Sequence, residues 1–110
     1  DHINIISPND FEEKSKKRSI KIFDVRKPFE FKSSHLKNSI NIPLNNLNQN
    51  IKDSEKENEL FLHCQTGYRS MIASSLLKIK GYKNVNDIDG GIMALKSFGI
   101  KTFSSKILVN

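Results

Sequence analysis

Leu62-His63-Cys64-Gln65-Thr66-Gly67-Tyr68-Arg69-Ser70 gathers within nine residues the groups that an activated thiol needs. Cys64 is the only cysteine of the 110 residues, which rules out an intramolecular disulfide and a cysteine-rich zinc site. A lone cysteine is most often a small core residue, so its surroundings must decide its role. Here an apolar run precedes it and a helical pattern begins just after Gly67. A loop that curls into a helix N-terminus can aim several backbone N–H groups at one point and hold an anion there. Gly67 supplies backbone angles closed to other residues. Free cysteine titrates near pH 8.5, and such placement lowers this to about 3.5–7.5. Arg69 adds a fixed positive charge on the far side of the loop. The expected chemistry is nucleophilic attack by Cys64, in a cradle that also suits a persulfide or an oxyanion.

The flanking segments read as the elements that position this loop. Ile20 to Val25 and Glu59 to His63 are strands rich in β-branched, leucine and aromatic residues. The second is almost continuously apolar, as in a strand covered on both faces. Ile3-Asn4-Ile5, Ser39 to Ile42 and Asn84 to Ile88 are shorter strands, the middle one stopped by Pro43. Ser7 caps a helix that opens on Pro8, with Asp10 in its first turn. Pro28 to Phe31 forms a short helix, and Asn45 to Asn50 a polar loop or short helix. Arg69 to Lys80 has apolar residues at 72, 73, 76, 77 and 79, which predicts a helix with one buried face, ended at Gly81. Gly91 to Ser97 is the last helix. Strands alternating with helices predict a parallel α/β sheet, and Cys64 falls just beyond the carboxyl end of a strand, where ligands bind in such folds.

Composition narrows the field. The length fits one domain spanning residues 1–110. The formal net charge is +6, from 18 Lys and Arg against 12 Asp and Glu, and only three of the basic residues are Arg. The lysines are spread along the chain, with Lys16-Lys17-Arg18 the densest group. A nucleic-acid surface would need a basic stripe with arginines and interleaved aromatics, so the charge reads as a solvated surface without nucleic-acid binding. No apolar stretch approaches the roughly 20 residues of a membrane span. The first residues, Asp1-His2-Ile3-Asn4, show no Met and no signal peptide, which suggests a domain excised from a longer chain. Three His, a single Cys and no His-x-His pattern predict no metal, and no cofactor is expected.

The pattern Cys-x-x-Gly-x-Arg-Ser, after an apolar strand ending in His, resembles the active-site loop of rhodanese-like sulfurtransferase domains. Phe23-Asp24-Val25-Arg26, Glu30-Phe31, His35-Leu36 and Ser39-Ile40-Asn41-Ile42-Pro43 are similar to landmarks of that family upstream. Gly81-Tyr82 and Asp89-Gly90-Gly91-Ile92 are similar to its signatures downstream. The likeness covers Ile20 to Ile100. Ser34, Asn38, Ser39 and Leu95 depart from the common pattern, at turns and in the core.

The resemblance implies a mainly parallel sheet of about five strands, flanked by helices on both faces. It implies a ping-pong sulfur transfer through a Cys64 persulfide. The donor is thiosulfate or a small-molecule persulfide, and the acceptor is a thiol, cyanide or a protein. The N–H groups of Gln65, Thr66, Gly67, Tyr68, Arg69 and Ser70 stabilise the persulfide. Asp24 pairs with Arg69 or Arg26 and braces the loop. Tyr68 lines the site or shields the helix start. His35 is structural, and His63 points to the face of its strand opposite Cys64. Lysines, if they cluster around the mouth, would draw anionic donors such as thiosulfate. The setting is a reducing cytoplasm.

Rival functions remain. A cysteine phosphatase or arsenate reductase needs five residues between Cys and Arg, and here there are four. An interaction module would not need Cys64, Gly67 and Arg69 together. A persulfide carrier, or an accessory domain fused to a metallo-hydrolase or persulfide dioxygenase, shares the same loop.

Overall fold

Strand β5 (Glu59–His63) is the central strand of a five-stranded sheet in the computed structural model, which describes residues 3–105. In sheet order, β1 (Asn4–Ile6), β6 (Asn84–Ile88), β5, β2 (Lys21–Asp24) and β4 (Ser39–Asn41) lie side by side, every pair parallel. Leu60 and Leu62 of β5 pack with Leu47 of α3 (Leu47–Asn50) and with Ala73 and Leu77 of α4 (Tyr68–Ile79). Phe61 points to the other side, into a cluster with Phe11 of α1 (Pro8–Lys17) and Leu95 of α5 (Gly91–Phe98). Two buried layers explain why β5 is apolar at nearly every position. The expected α/β fold, with helices on both faces, is the observed one.

The chain visits β2, then the edge strand β4, and then crosses back to β5 on the other side of β2. The carboxyl ends of β2 and β5 therefore flank the point where strand order reverses, the place for a ligand in an open parallel sheet. Asp24 ends one strand and His63-Cys64 the other.

Several local expectations hold in detail. Ser7 Oγ accepts the Asp10 N–H at 3.1 Å, capping α1. Gly81, at φ +97°, closes α4: its N–H reaches the Lys78 carbonyl, and the Tyr82 N–H reaches that of Leu77. Asn45 to Asn50 resolves into a turn of 3-10 helix running into α3. Two features differ. A two-stranded antiparallel pair, β3 (His35–Leu36) with β7 (Thr102–Phe103), joins segments that the pattern left as loop. The face of α4 that is buried carries Ser70, Ala73, Ser74 and Leu77, whereas Ile72 and Leu76 are each a little over a third exposed (38% and 37%) and Ile79 is 82% exposed. Both faces of this helix carry apolar side chains, so periodicity alone could not choose the inner one. Among the described residues no helix is long and apolar enough to cross a membrane.

Candidate active site

Cys64 follows directly on β5 and is 1% exposed. The Gly67 N–H donates to its Sγ at 3.1 Å. Gly67 is the N-cap of α4 at φ +119°, so the turn that brings this N–H back to the sulfur uses left-handed backbone. The N–H groups of Tyr68, Arg69 and Ser70 form the first turn of α4, where no helical carbonyl can accept them. Their dipoles concentrate positive potential at the end of the helix nearest the sulfur.

The other wall of the loop is held by α5. The Ile92 N–H donates to the Cys64 carbonyl at 2.9 Å, and the Met93 N–H to that of Gln65 at 3.1 Å. First-turn donors of α5 thus find their partners in the loop. Carbonyl and N–H point opposite ways across a trans peptide, so the N–H groups of Gln65 and Thr66 turn away from α5. A β-carbon on Gly91 would lie 2.6 Å from both carbonyl oxygens, which makes glycine the residue that permits this approach.

Arg69 does not stand free beside the thiol. Its Nη1 and Nη2 donate to Glu30 Oε1 and Oε2 at 2.6 and 3.0 Å. Glu30 sits in the first turn of α2 (Pro28–Ser33), where its Oε1 also accepts the Lys27 N–H. The Arg69 hydrogen bonds hold the Glu30 carboxyl down at about 2 against the opposing effect of burial, and Glu30 in turn raises Arg69. The expected positive charge is therefore present but balanced by a carboxylate.

Asp24 pairs with Arg26, the second of the two expected partners. Arg26 Nε and Nη2 donate to its carboxylate at 2.8–3.2 Å, and both side chains are almost wholly buried. Arg26 Nη2 also donates to the Ser34 carbonyl, and its Nη1 to Gln65 Oε1 at 3.1 Å. One guanidinium thus ties the end of β2 to two loops, one of them the cysteine loop. Fixed fork geometry is what makes this triple attachment possible.

A family model for the rhodanese-like domain matches residues 7–98. The chain belongs to that family. A solved rhodanese-related protein of Thermoplasma volcanium is 32% identical, with a TM-score of 0.82, covering 91% of this chain and 97% of that one. An adenylyltransferase and sulfurtransferase of Ogataea parapolymorpha is 39% identical over 82 residues, 74% of this chain and 21% of that protein. A tRNA uridine(34) hydroxylase of Chlamydia caviae is 30% identical over 113 aligned residues, 94% of this chain and 34% of that protein. The chain thus spans from a fifth to a third of the length of these two curated relatives.

The remaining side chains of this rhodanese-like domain fall into place around the loop. Tyr68 is 76% exposed and forms part of a cavity wall at the start of α4. Ser70 is buried, its Oγ donating to the Gly67 carbonyl at 3.3 Å. His35 Nδ1 lies 2.8 Å from the Phe31 carbonyl and its ring stacks on Phe31, a packing role. His63 points to the face opposite Leu62 and Cys64, beside Asp24. Its Nδ1 donates to the Cys64 carbonyl at 3.1 Å, and Nε2 has no hydrogen-bond partner among the described residues. Burial pushes its imidazole down, only partly offset by Asp24.

Among the described residues no lysine lines the cavity beside the loop. Lys16, Arg18, Lys37 and Lys101 line a cavity of about 530 Å³ near Ile20 and Ile22, at the amino end of β2. Cys64 lies past the carboxyl end of the parallel neighbour strand. Beside the loop stand two acids, Asp87 and Asp89. Reading the sequence for chemistry missed Glu30, Gly91 and Asp87. Glu30 and Gly91 were visible only as members of short motifs. Asp87 had a faint signal, an acidic residue inside an otherwise buried strand.

Proposed function

We propose that this domain transfers sulfane sulfur through Cys64. The observation that carries the reading is the Gly67 N–H on Sγ at 3.1 Å, at the N-terminus of α4. Backbone N–H donors gathered at a helix N-terminus can hold an anion such as the outer sulfur of a persulfide. The Cys64 thiolate attacks the outer sulfur of thiosulfate, and sulfite leaves with the bonding electron pair. A small-molecule persulfide reacts in the same way, with its thiolate leaving. The acceptor, a thiolate or cyanide, then attacks the outer sulfur of the Cys64 persulfide. The S–S bond breaks, its electron pair stays on Sγ, and the resting thiolate returns. Gln65 to Ser70 supply the N–H groups around the sulfur, while Asp24 and Arg26 hold the loop through Gln65.

The resemblance to a named sulfurtransferase supports this reading. Residues 1–110 act as one domain, in a reducing compartment such as the cytoplasm that keeps the single thiol free. A role as the sulfur-carrying part of a larger enzyme draws support from relatives several times the length of this chain. The four-residue spacing between Cys64 and Arg69, with Arg69 held by Glu30, disfavours a phosphatase.

Intact-protein mass after incubation with thiosulfate and then cyanide tests the proposal. Wild type should gain one sulfur and lose it to cyanide as thiocyanate, and Cys64→Ser should gain none. No sulfur adduct from thiosulfate or from a glutathione-type persulfide would overturn it.

A further inference from the structure

A cavity of about 290 Å³ opens beside the cysteine loop, with Thr66, Gly67, Tyr68, Met71, Asp87 and Asp89 in its walls. Gly67, whose N–H holds Sγ, is one of its lining residues, which puts the cavity against the cysteine loop. Among the described residues no basic side chain lines it and no ion pair is made by Asp87 or Asp89. Asp87 is only 3% exposed; Ser70 hydrogen-bonds its carboxyl group, while its Oδ1 has no hydrogen-bond partner among the described residues. A buried carboxylate without a cation is costly unless something else meets it. Asp87 stands opposite Leu62 in the β5–β6 ladder, so it faces the same side of the sheet as Leu62 and Cys64.

We propose that this cavity binds the ammonium group of an aminothiol, the small-molecule acceptor that takes sulfur from Cys64. Asp87 and the exposed Asp89 meet the ammonium, and the apolar faces of Tyr68 and Met71 cover the carbon chain. The thiolate of the bound molecule attacks the outer sulfur of the Cys64 persulfide. The bond to Sγ breaks, its electron pair remains on Cys64, and the aminothiol departs as a persulfide with no net oxidation. The balance of charge around the loop agrees with a cationic rather than an anionic acceptor. Arg69 is already paired with Glu30, and the lysine-rich cavity lies at the other end of β2.

The inference rests on sulfur transfer through Cys64, and one experiment separates the two. Persulfide-loaded protein is discharged with 2-aminoethanethiol or with mercaptoacetate, and the decay of the loaded mass is followed for wild type, Asp87→Asn and Asp89→Asn. Dividing each variant's ratio of rates by that of wild type cancels the intrinsic reactivity of the thiols. The preference for 2-aminoethanethiol should fall about tenfold in Asp87→Asn, the scale of one charge-assisted hydrogen bond. In Asp89→Asn, at the exposed rim, it should fall about two- to threefold. The rim variant carries the test should Asp87→Asn fail to fold. Ratios equal to that of wild type in the variants that load would overturn the amine site and leave sulfur transfer standing. A wild-type protein that never loads would overturn both.

Discussion

The backbone of Gly91 rests against the carbonyl of Cys64, so close that a β-carbon on Gly91 would stand 2.6 Å from that oxygen. The same position would meet Gln65 O at 2.6 Å. Through this contact the N-terminal turn of α5 donates to both carbonyls and fixes how the first two peptides of the loop are turned. The loop is thus shaped by two helix N-termini: α4 faces the sulfur, and α5 holds the backbone behind it.

Gly91→Ala should therefore cost more than its backbone angle alone. Gly91 and Gly81 both have positive φ, at +62° and +97°, but among the described residues nothing lies within 4 Å of a β-carbon on Gly81. Gly81→Ala should lose about 1–2 kcal/mol from left-handed strain. Gly91→Ala should lose about 2 kcal/mol more, because α5 and the loop must move apart. Urea unfolding of the two variants gives the comparison, and sulfur uptake by Cys64 should slow in Gly91→Ala only. Equal losses of stability in the two variants would show that the close approach is not what Gly91 supplies.

The buried Asp24–Arg26 pair should behave as one unit. Arg26→Met leaves the Asp24 carboxylate at 0% exposure without its cation and should cost about 3–5 kcal/mol. Asp24→Asn strands the guanidinium in the same way. The double variant should be more stable than the sum of the two losses predicts, by about 2 kcal/mol. Arg26→Lys should not rescue, since a single ammonium cannot reach Asp24, Ser34 and Gln65 together. Denaturant midpoints of the four proteins decide this, and additive losses would count against coupling.

Much of this fold could be read from alternation and caps. Glu59 to His63 read as a strand covered on both faces, because its short apolar run is nearly continuous, and Gly81 suited the end of α4. Position relative to other segments was harder. Glu30 meets Arg69 across 39 residues of chain, and Thr102 meets Leu36 across a still longer gap. No local pattern encodes such pairings. Asp24 offered two arginines, and the choice of Arg26 depended on which guanidinium lay beneath the strand end. Asp87 was hidden because strand residues alternate in direction and the sequence does not state which face meets the cavity. Where the lysines cluster could not be read at all, because net charge carries no address.

The bond between Glu30 and Arg69 should appear as a pH dependence of stability. The Arg69 guanidinium holds the Glu30 carboxyl at about 2 in the folded protein, against an ordinary value of 4.5. A carboxyl with a depressed folded pKa contributes its full stability above the unfolded value and loses it as pH falls through the folded one. Glu30→Gln should thus remove a stability loss that wild type shows between pH 4.5 and 2, and the two curves should converge at the acid end. The same substitution frees the Arg69 guanidinium, so sulfur uptake from thiosulfate should rise about threefold relative to a neutral donor. Parallel stability curves for the two proteins over that range would argue that the pair contributes nothing.

His63 gives the opposite part of the pH range. Burial pushes its imidazole below the ordinary value of 6.5, so the folded protein holds it neutral while the unfolded chain takes up a proton below about that pH. The unfolded state then binds more protons than the native one, and stability falls as pH drops below 6.5. The slope approaches about 1.4 kcal/mol per pH unit for one such group. It ends where the folded imidazole itself becomes charged, next to Asp24 Oδ2 at 3.7 Å. His63→Gln keeps a donor for the Cys64 carbonyl and cannot titrate, so its urea midpoints should change less than those of wild type between pH 7 and 5. Persistence of the full wild-type slope in His63→Gln would assign the acid sensitivity to another group.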